Sequence, residues 1–357
     1  MSLAPTMLSL VTLAVDPVEC TPWGGATVRG TVARADPCGL VIAIDGSTAR
    51  ISLAWSDVRT IAPVDPAWSS WIEAGDAVRR GEQRLARGDA ALAAEAFGRA
   101  TELLAGARGD CVQAAWQQWA RSLQACGRAT AAALAQLRAM DLSPDASAAS
   151  SPSAESIASS ASSPSWPADL CPAYADPAEA REAWTAFDGA PSSAPRASAW
   201  GALLREVAAR QAGVAAKPMP KPPRGAAKDD AMRRERLVLE QWLEALGEAS
   251  STRERARESL ADMLARTETP VRHWCRVAIG QSLMLEARAA KPGSAEARRS
   301  ALDAAEQFLT VVSCDDASIP MLSATCAALG AQALDAAGDA RGASTVRTRL
   351  LQEGTSP

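Results

Sequence analysis

The sequence is poor in aromatic residues other than tryptophan, and it contains one histidine and no asparagine. Three Phe and one Tyr in 357 residues argue against extensive β-sheet beyond the N-terminal region. The eight cysteines form no C-x-x-C pair, and His273 stands alone, so the spacing of zinc ligands is absent. We therefore expect neither a metal nor a cofactor.

Lysine is also scarce, and nearly all of the basic charge is carried by arginine. A high-GC bacterial genome explains this bias, because it favours Ala, Arg, Gly and Pro codons. The net charge is −4, whereas a nucleic-acid-binding protein usually has a basic face or a high isoelectric point. We therefore expect no nucleic-acid partner.

The motifs of the common enzyme classes are also missing. The sequence contains no G-x-S-x-G, no P-loop and no G-x-G-x-x-G after a predicted strand. His273 is the only histidine that a Ser–His or Cys–His pair could use, and it lies inside a predicted helix beside Trp274. The sequence therefore favours a non-enzymatic protein, and an enzyme with a site near His273 is an alternative.

An apolar stretch at the N-terminus bears on localisation. Residues 1–15 carry no charged side chain, and the run from Met7 to Val15 is too short to span a bilayer. It is long enough for the core of a signal peptide that ends near Ala14, although a first strand or a frayed terminus would also fit. We expect a periplasmic or cell-envelope protein, or otherwise a cytoplasmic one, with no transmembrane span.

The even number of cysteines allows disulfides if the protein is exported. The pairs closest in sequence, Cys20–Cys38 and Cys111–Cys126, are the candidates. The alternative is that the thiols stay reduced and pack as small apolar side chains.

Residues 16–63 differ from the rest of the chain in their short β-branched runs. The runs at 27–32, 40–44 and 50–53 are separated by turn residues, and Asp45-Gly46 predicts a hairpin between the last two. A further strand is expected at 55–61. This region resembles a small SH3-like or Sm-like barrel, on which Trp23 and Trp55 could line a groove.

Helical periodicity begins after Pro66, and the block 66–140 contains two related stretches. Gly88 interrupts the first, and Ala93, Phe97 and Ala100 follow at helical spacing. This pattern resembles the second half of a tetratricopeptide repeat, whose turn glycine and small, aromatic and small residues interlock two helices. The stretch around Trp116 and Gly127 resembles the first half of another copy.

The remaining sequence alternates between helical and low-complexity segments. Residues 141–167 are rich in Ser, Ala and Pro, and residues 214–228 are rich in Pro and Lys, so both are predicted to be linkers. Residues 168–213 are predicted to be helical. Residues 229–353 are predicted to form a second tetratricopeptide-like block, in which Ala304 and Phe308 repeat the interlocking pattern.

The sequence thus predicts a mainly α chain, in which tetratricopeptide-like hairpins form an α-solenoid after a small β-barrel-like module, with disordered linkers. The resemblance implies a scaffold or adaptor that binds a protein or peptide partner. Polar residues on the first helix of each N-terminal pair are the candidate contacts: Gln83, Arg84, Gln117 and Arg121. A structural spacer without a peptide-binding groove is the main alternative.

Overall fold

A computed structural model describes residues 17–142, 166, 170–189, 195–214, 233–268, 271–314 and 319–353. They form an antiparallel five-stranded sheet followed by twelve α-helices, which confirms the predicted mainly α fold with a small β module. The predicted signal peptide and most of both predicted linkers lie outside the described residues. The described chain divides into two compact units, residues 17–115 and residues 116–353.

The first unit begins with a sheet whose last strand returns to pair with its first. In spatial order the strands are β4-β3-β2-β1-β5, and every neighbouring pair is antiparallel. The hairpin predicted at Asp45-Gly46 is confirmed, because Gly46 has φ of 72° and the Ser47 N–H donates to the Ile44 carbonyl over 3.1 Å. The strands are β1 (Val18–Pro22), β2 (Val28–Asp36), β3 (Gly39–Ile44), β4 (Arg50–Ala54) and β5 (Val58–Ala62).

Trp55 lies in the core beneath this sheet rather than in a surface groove. It occupies a 3-10 turn between β4 and β5, is 3% exposed, and lies 6.1 Å from the ring of Trp68 and 6.2 Å from that of Trp71. The prediction that Trp55 lines a groove is therefore wrong. This indole is buried because the small module has few other large apolar side chains for its core. The other buried core residues are Val18, Cys20, Leu40, Ile42, Val58, Ile61 and Trp68.

The helices of the first unit pack closely through glycine. In α1 (Ser69–Ala86), a Cβ placed on Gly75 would lie 2.4 Å from the Trp55 carbonyl carbon, so only glycine allows this approach to the β module. A Cβ on Gly81 would lie 2.7 Å from the Phe97 ring of α2 (Ala90–Leu103). Phe97 is fully buried, as the interlocking pattern predicts.

A disulfide joins Cys38, in the turn between β2 and β3, to Cys111 at the start of α3 (Asp110–Ala125). Their Cα atoms are 5.1 Å apart. Both predicted pairings are therefore wrong. Cys20 is fully buried on β1, whereas the β2–β3 turn carries Cys38 to the end of the sheet, so proximity in sequence does not bring these two thiols together.

The second unit contains the rest of α3 and nine further helices. Helix α4 packs against α6, and from α5 onward each helix packs against the next one in the chain. The helices are α4 (Ala129–Leu142), α5 (Pro177–Asp188), α6 (Pro195–Gln211), α7 (Arg233–Ala245), α8 (Ser250–Arg266), α9 (Val271–Ala289), α10 (Ala295–Ser313), α11 (Pro320–Ala337) and α12 (Ala340–Glu353).

The pair α9 and α10 repeats the packing of α1 and α2. A Cβ on Gly280 would lie 2.8 Å from the ring of Phe308, and Phe308 is fully buried, as is Ala304. Polar contacts join α9 to its other neighbour, because Arg257 of α8 donates to Glu286 over 2.6 Å and to the Ser282 hydroxyl over 3.2 Å. The helices of this unit are thus joined both by close backbone approach and by buried polar bonds.

Candidate functional site

A non-helical segment, Leu170–Ala175, is buried among the helices of the second unit. Leu170 is 2% exposed and Tyr174, the only tyrosine in the sequence, is 6% exposed. These residues belong to no helix or strand, so their peptide groups lack the regular hydrogen bonds of secondary structure. Because a buried peptide group without a partner is costly, the surrounding side chains must supply those bonds. We call this stretch the extended segment.

Gln211, the last residue of α6, binds the backbone of the extended segment through both the nitrogen and the oxygen of its side-chain amide. Its Nε2 donates to the Pro172 carbonyl over 2.7 Å, and its Oε1 accepts the Tyr174 N–H over 3.1 Å. A carbonyl and an N–H two residues apart lie on the same edge of an extended chain. The Gln211 amide therefore contacts the segment much as a neighbouring β-strand would.

Two buried side chains fix the orientation of the Gln211 amide. The indole Nε1 of Trp242 on α7 can only donate, and it donates to Gln281 Oε1 on α9 over 3.0 Å. Gln281 Nε2 in turn donates to Gln211 Oε1 over 2.8 Å. The Gln211 Nε2 is thereby directed toward the Pro172 carbonyl, so the donor-only indole determines the direction of the whole chain of bonds.

A third glutamine holds the C-terminal end of the segment. Gln332 on α11 donates to the Ala175 carbonyl over 2.7 Å. Residues from α6, α9 and α11 thus contact the segment or the residues that bind it. We call Gln211, Gln281 and Gln332 the glutamine face.

The end of the segment passes directly into α5. Asp176 caps this helix by accepting the N–H groups of Ala178 and Glu179 over 2.8 and 2.9 Å. The Glu179 carboxylate accepts the Ala175 N–H over 2.9 Å. Burial raises the pKa of Glu179, the Ala175 N–H opposes that shift, and the nearby charges of Asp176 and Glu182 add to it.

An aromatic stack lies at the N-terminal end of the extended segment. Trp166 and Trp200 of α6 are both 3% exposed, and their rings stack with centroids 5.0 Å apart and planes 13° apart. The Trp166 Nε1 donates to the Leu170 carbonyl over 2.9 Å. The chain is therefore anchored on both sides of the extended segment.

The segment is apolar and locally constrained. The Ala173 N–H donates to the Cys171 carbonyl over 2.8 Å, a three-residue turn to which the fixed φ of Pro172 is suited. Burial, followed by the charge of Glu179, raises the pKa of Tyr174 far above its usual range. No residue between Leu170 and Ala175 carries a formal charge at neutral pH, so this face of the helices surrounds a neutral polypeptide.

The four predicted contact residues lie elsewhere. On α1, Gln83 is exposed, and Arg84 is partly buried and forms an ion pair with Asp89 over 3.3 Å. On α3, Gln117 is partly buried and Arg121 is exposed. The first two belong to the unit 17–115 and the other two to the unit 116–353. None contacts the extended segment through a hydrogen bond described above, and their role in binding stays a prediction.

The two remaining positions singled out in the sequence are His273 and Trp23. His273 lies on α9 and is fully buried, so a substrate could reach its ring only if the surrounding helices moved. Trp23, unlike Trp55, is 42% exposed, with the guanidinium of Arg79 lying 4.0 Å and that of Arg59 5.4 Å from its ring centre. Cation–π contacts therefore cover part of this indole.

No group of three or more His, Cys, Asp or Glu side chains among the described residues is arranged to hold a metal ion. Among the helices within the described ranges, none is both long and apolar enough to cross a membrane.

The glutamine face is not apparent from the sequence. Helical glutamines ordinarily face solvent, and neither Gln211 nor Gln332 belongs to a recognisable motif. The one available signal is Gln281, which follows Gly280 on the interlocked face of α9, where a polar side chain must be bonded. A scan of protein-family models and searches of curated proteins and of solved structures found no match to this chain.

Proposed function

We propose that this chain is a non-enzymatic scaffold that binds a partner protein through tetratricopeptide-like helical pairs. Two features support this family resemblance. The glycine–phenylalanine approach recurs in α1–α2 and in α9–α10, and consecutive helices pack against each other from α5 to α12. Stacked helical pairs leave an extended surface, which suits the binding of a polypeptide.

The observation that carries the proposal is the extended segment. The helices of the second unit hold a non-helical stretch of polypeptide through side-chain amides bonded to its backbone. This is the type of contact that binding of an extended peptide requires. The full burial of His273 supports a scaffold over an enzyme with a site near this residue.

The disulfide supports an exported protein. Disulfides such as Cys38–Cys111 persist in oxidising compartments and are rare in the cytosol. Together with the apolar stretch at Met7–Val15, this favours the periplasm or the cell envelope. N-terminal sequencing and a non-reducing gel of fractionated native cells test the localisation. An uncleaved, reduced protein in the cytoplasm would contradict it.

The N-terminal helices carry the predicted contacts of the scaffold with its partner. Because Arg121 is exposed and Arg84 is bonded within its own helical pair, Arg121 is the more available of the two for a partner. Arg121→Glu should weaken partner capture, and Arg121→Lys should retain most of it. Equal capture by wild type and Arg121→Glu would remove this residue from the binding surface.

Affinity capture from envelope and soluble fractions tests the scaffold function, with the full chain tagged at its C-terminus. We expect one defined partner to be recovered in a stable ratio, and to bind again when both proteins are purified. If the purified proteins do not associate, the protein is better described as a spacer.

A further inference from the structure

We infer that the glutamine face is a binding site for an uncharged extended segment of a partner protein, and that Leu170–Ala175 occupies this site in cis. This inference rests on the proposed scaffold function and deepens it. It adds a second contact surface to the predicted contacts of the N-terminal helices, and it specifies the chemistry of the bound segment. Occupancy of the site by the extended segment and binding of the partner are then mutually exclusive.

The hydrogen bonds of the glutamine face reach backbone groups rather than particular side chains. The Gln211 amide binds one carbonyl and one N–H two residues apart, and Gln332 binds a further carbonyl. Any extended polypeptide presents groups with this spacing, provided that the residue at the Tyr174 position is not proline. A partner segment can therefore make the same bonds.

The amides of Gln211 and Gln281 are oriented by bonds that do not involve the segment. The bonds from Trp242 to Gln281 and from Gln281 to Gln211 lie within the helices. They hold the Gln211 amide in the orientation that the segment requires. A site arranged in advance loses little side-chain entropy when a new segment replaces the old one.

The segment that occupies the site is buried and uncharged. Leu170 and Tyr174 are buried, the residues between them are small or proline, and none carries a formal charge. A charged side chain buried in their place would lose its hydration. The segment carries no opposite charge that could pair with it. The matching partner segment is therefore neutral, with large uncharged side chains at the positions of Leu170 and Tyr174.

Native-state hydrogen exchange on the unmodified full chain is the first test, because it needs no variant. If the segment opens by itself, the amide hydrogen of Tyr174 should exchange at least ~100-fold faster, relative to its intrinsic rate, than the core amides of α9. Equal protection of Tyr174 and α9 would mean that the segment leaves only on global unfolding, which would overturn the inference.

Peptide binding in trans is the second test. The probe is a fluorescent peptide, Leu-Ser-Pro-Ala-Tyr-Ala, which copies the extended segment with serine in place of Cys171. Tyr174→Ala weakens the occupant and leaves the glutamine face intact, so this variant should bind the probe at least ~10-fold more tightly than wild type does, because the tethered segment competes at high effective concentration. Equal affinity would contradict cis occupancy.

Matched substitutions locate the probe on the protein. Gln211→Ala in the Tyr174→Ala background should reduce probe binding at least ~10-fold, whereas Gln241→Ala, at a partly buried glutamine on α7 outside the glutamine face, should leave it unchanged. Probe binding that is unchanged by Gln211→Ala, or lost equally with Gln241→Ala, would overturn the inference. If Tyr174→Ala does not fold, the exchange experiment on wild type still decides.

Failure of this inference can be separated from failure of the scaffold function. If the purified partner binds the full chain equally well with and without Gln211→Ala, the scaffold function stands and the glutamine face is not its site. If no purified partner binds, but the probe binds through Gln211, the site exists and the scaffold function is wrong.

Discussion

Gln281 connects the helices to the segment that they hold. Its Oε1 accepts the indole N–H of Trp242, and its Nε2 donates to Gln211, so removing this amide affects two buried partners at once. Gln281 itself is 9% exposed, and water has little access to replace these bonds. A buried donor or acceptor that loses its partner costs more than the bond itself contributes.

Gln281→Leu should therefore lower the free energy of unfolding by about 2–4 kcal/mol, since it leaves two buried polar groups without this partner. Gln241→Leu on α7, where the side chain is only partly buried, is the matched control and should change stability by less than about 0.5 kcal/mol. Urea unfolding followed by circular dichroism measures both. Similar effects of the two substitutions would mean that the Gln281 bonds contribute little.

The buried thiol of Cys275 gives the protein a stability that depends on pH. Burial raises its pKa from 9.0 to about 12 in the folded chain. Above pH 9.0 the unfolded thiol has lost its proton while the folded one retains it. The unfolded state therefore binds fewer protons, and stability falls as the pH rises through this interval.

Between about pH 9 and about pH 11, this thiol should reduce the free energy of unfolding by up to about 1.4 kcal/mol per pH unit. Cys275→Ala lacks the titrating group, so its stability should fall less steeply with pH than that of wild type. Urea midpoints across this range provide the comparison. Parallel pH profiles would show that the thiol does not titrate differently in the two states.

At the scale of elements, glycine sets the distance between paired helices. Gly280 faces the Phe308 ring so closely that an added Cβ would lie 2.8 Å from it, whereas an added Cβ on Gly201 of α6 would lie 3.6 Å from Leu137. The first distance is a clash and the second an ordinary contact. Gly280 therefore has no room for a side chain, whereas Gly201 has room for one.

Gly280→Ala should lower the free energy of unfolding by about 1–3 kcal/mol through overpacking against Phe308. Gly201→Ala should be neutral, or stabilising by up to about 1 kcal/mol, because alanine favours the helix and has room. Thermal and urea unfolding of the two variants test the pair. If Gly280→Ala is as stable as Gly201→Ala, then α9 and α10 are not held at this distance by glycine.

The same elements indicate how far sequence alone can predict this protein. The stripe containing Phe97 and the hairpin at Asp45-Gly46 are local patterns, and both were predictable because neighbouring residues determine them. The extended segment is not local. Helices are predicted within residues 168–213, and α5 and α6 lie there, but no local pattern marks Leu170–Ala175, which is held by side chains that lie up to 157 residues away.

The disulfide was unpredictable for a related reason. Connectivity depends on which thiols the fold brings together, and here a strand turn meets the start of a helix 73 residues later. Equally, no pattern marks Gln211 as a residue that binds backbone. Its role depends on where α6 ends relative to the segment.

At the scale of the whole molecule, the Cys38–Cys111 bond joins the β module to the beginning of α3 within the first unit. The two cysteines enclose a stretch that contains β3, β4, β5, α1 and α2. Closing so long a stretch restricts the unfolded chain strongly, and this restriction favours the folded state.

Cys38→Ser combined with Cys111→Ser should therefore lower the stability of residues 17–115 by about 2–4 kcal/mol. Dithiothreitol should lower the unfolding temperature of wild type and leave that of the double variant unchanged. Proteolysis of the β module on mild heating provides a second measurement. If the reductant has the same effect on both proteins, the bond does not stabilise this unit.

The bond between Gln332 and Ala175 has a consequence for synthesis at the ribosome. Because 157 residues separate its two ends, the ribosome must add most of the second unit after the extended segment has emerged. At about 5–20 residues per second this takes about 8–30 seconds, during which Leu170 and Tyr174 have no completed face to bury them. The nascent chain therefore presents an apolar stretch to chaperones until α11 has been translated.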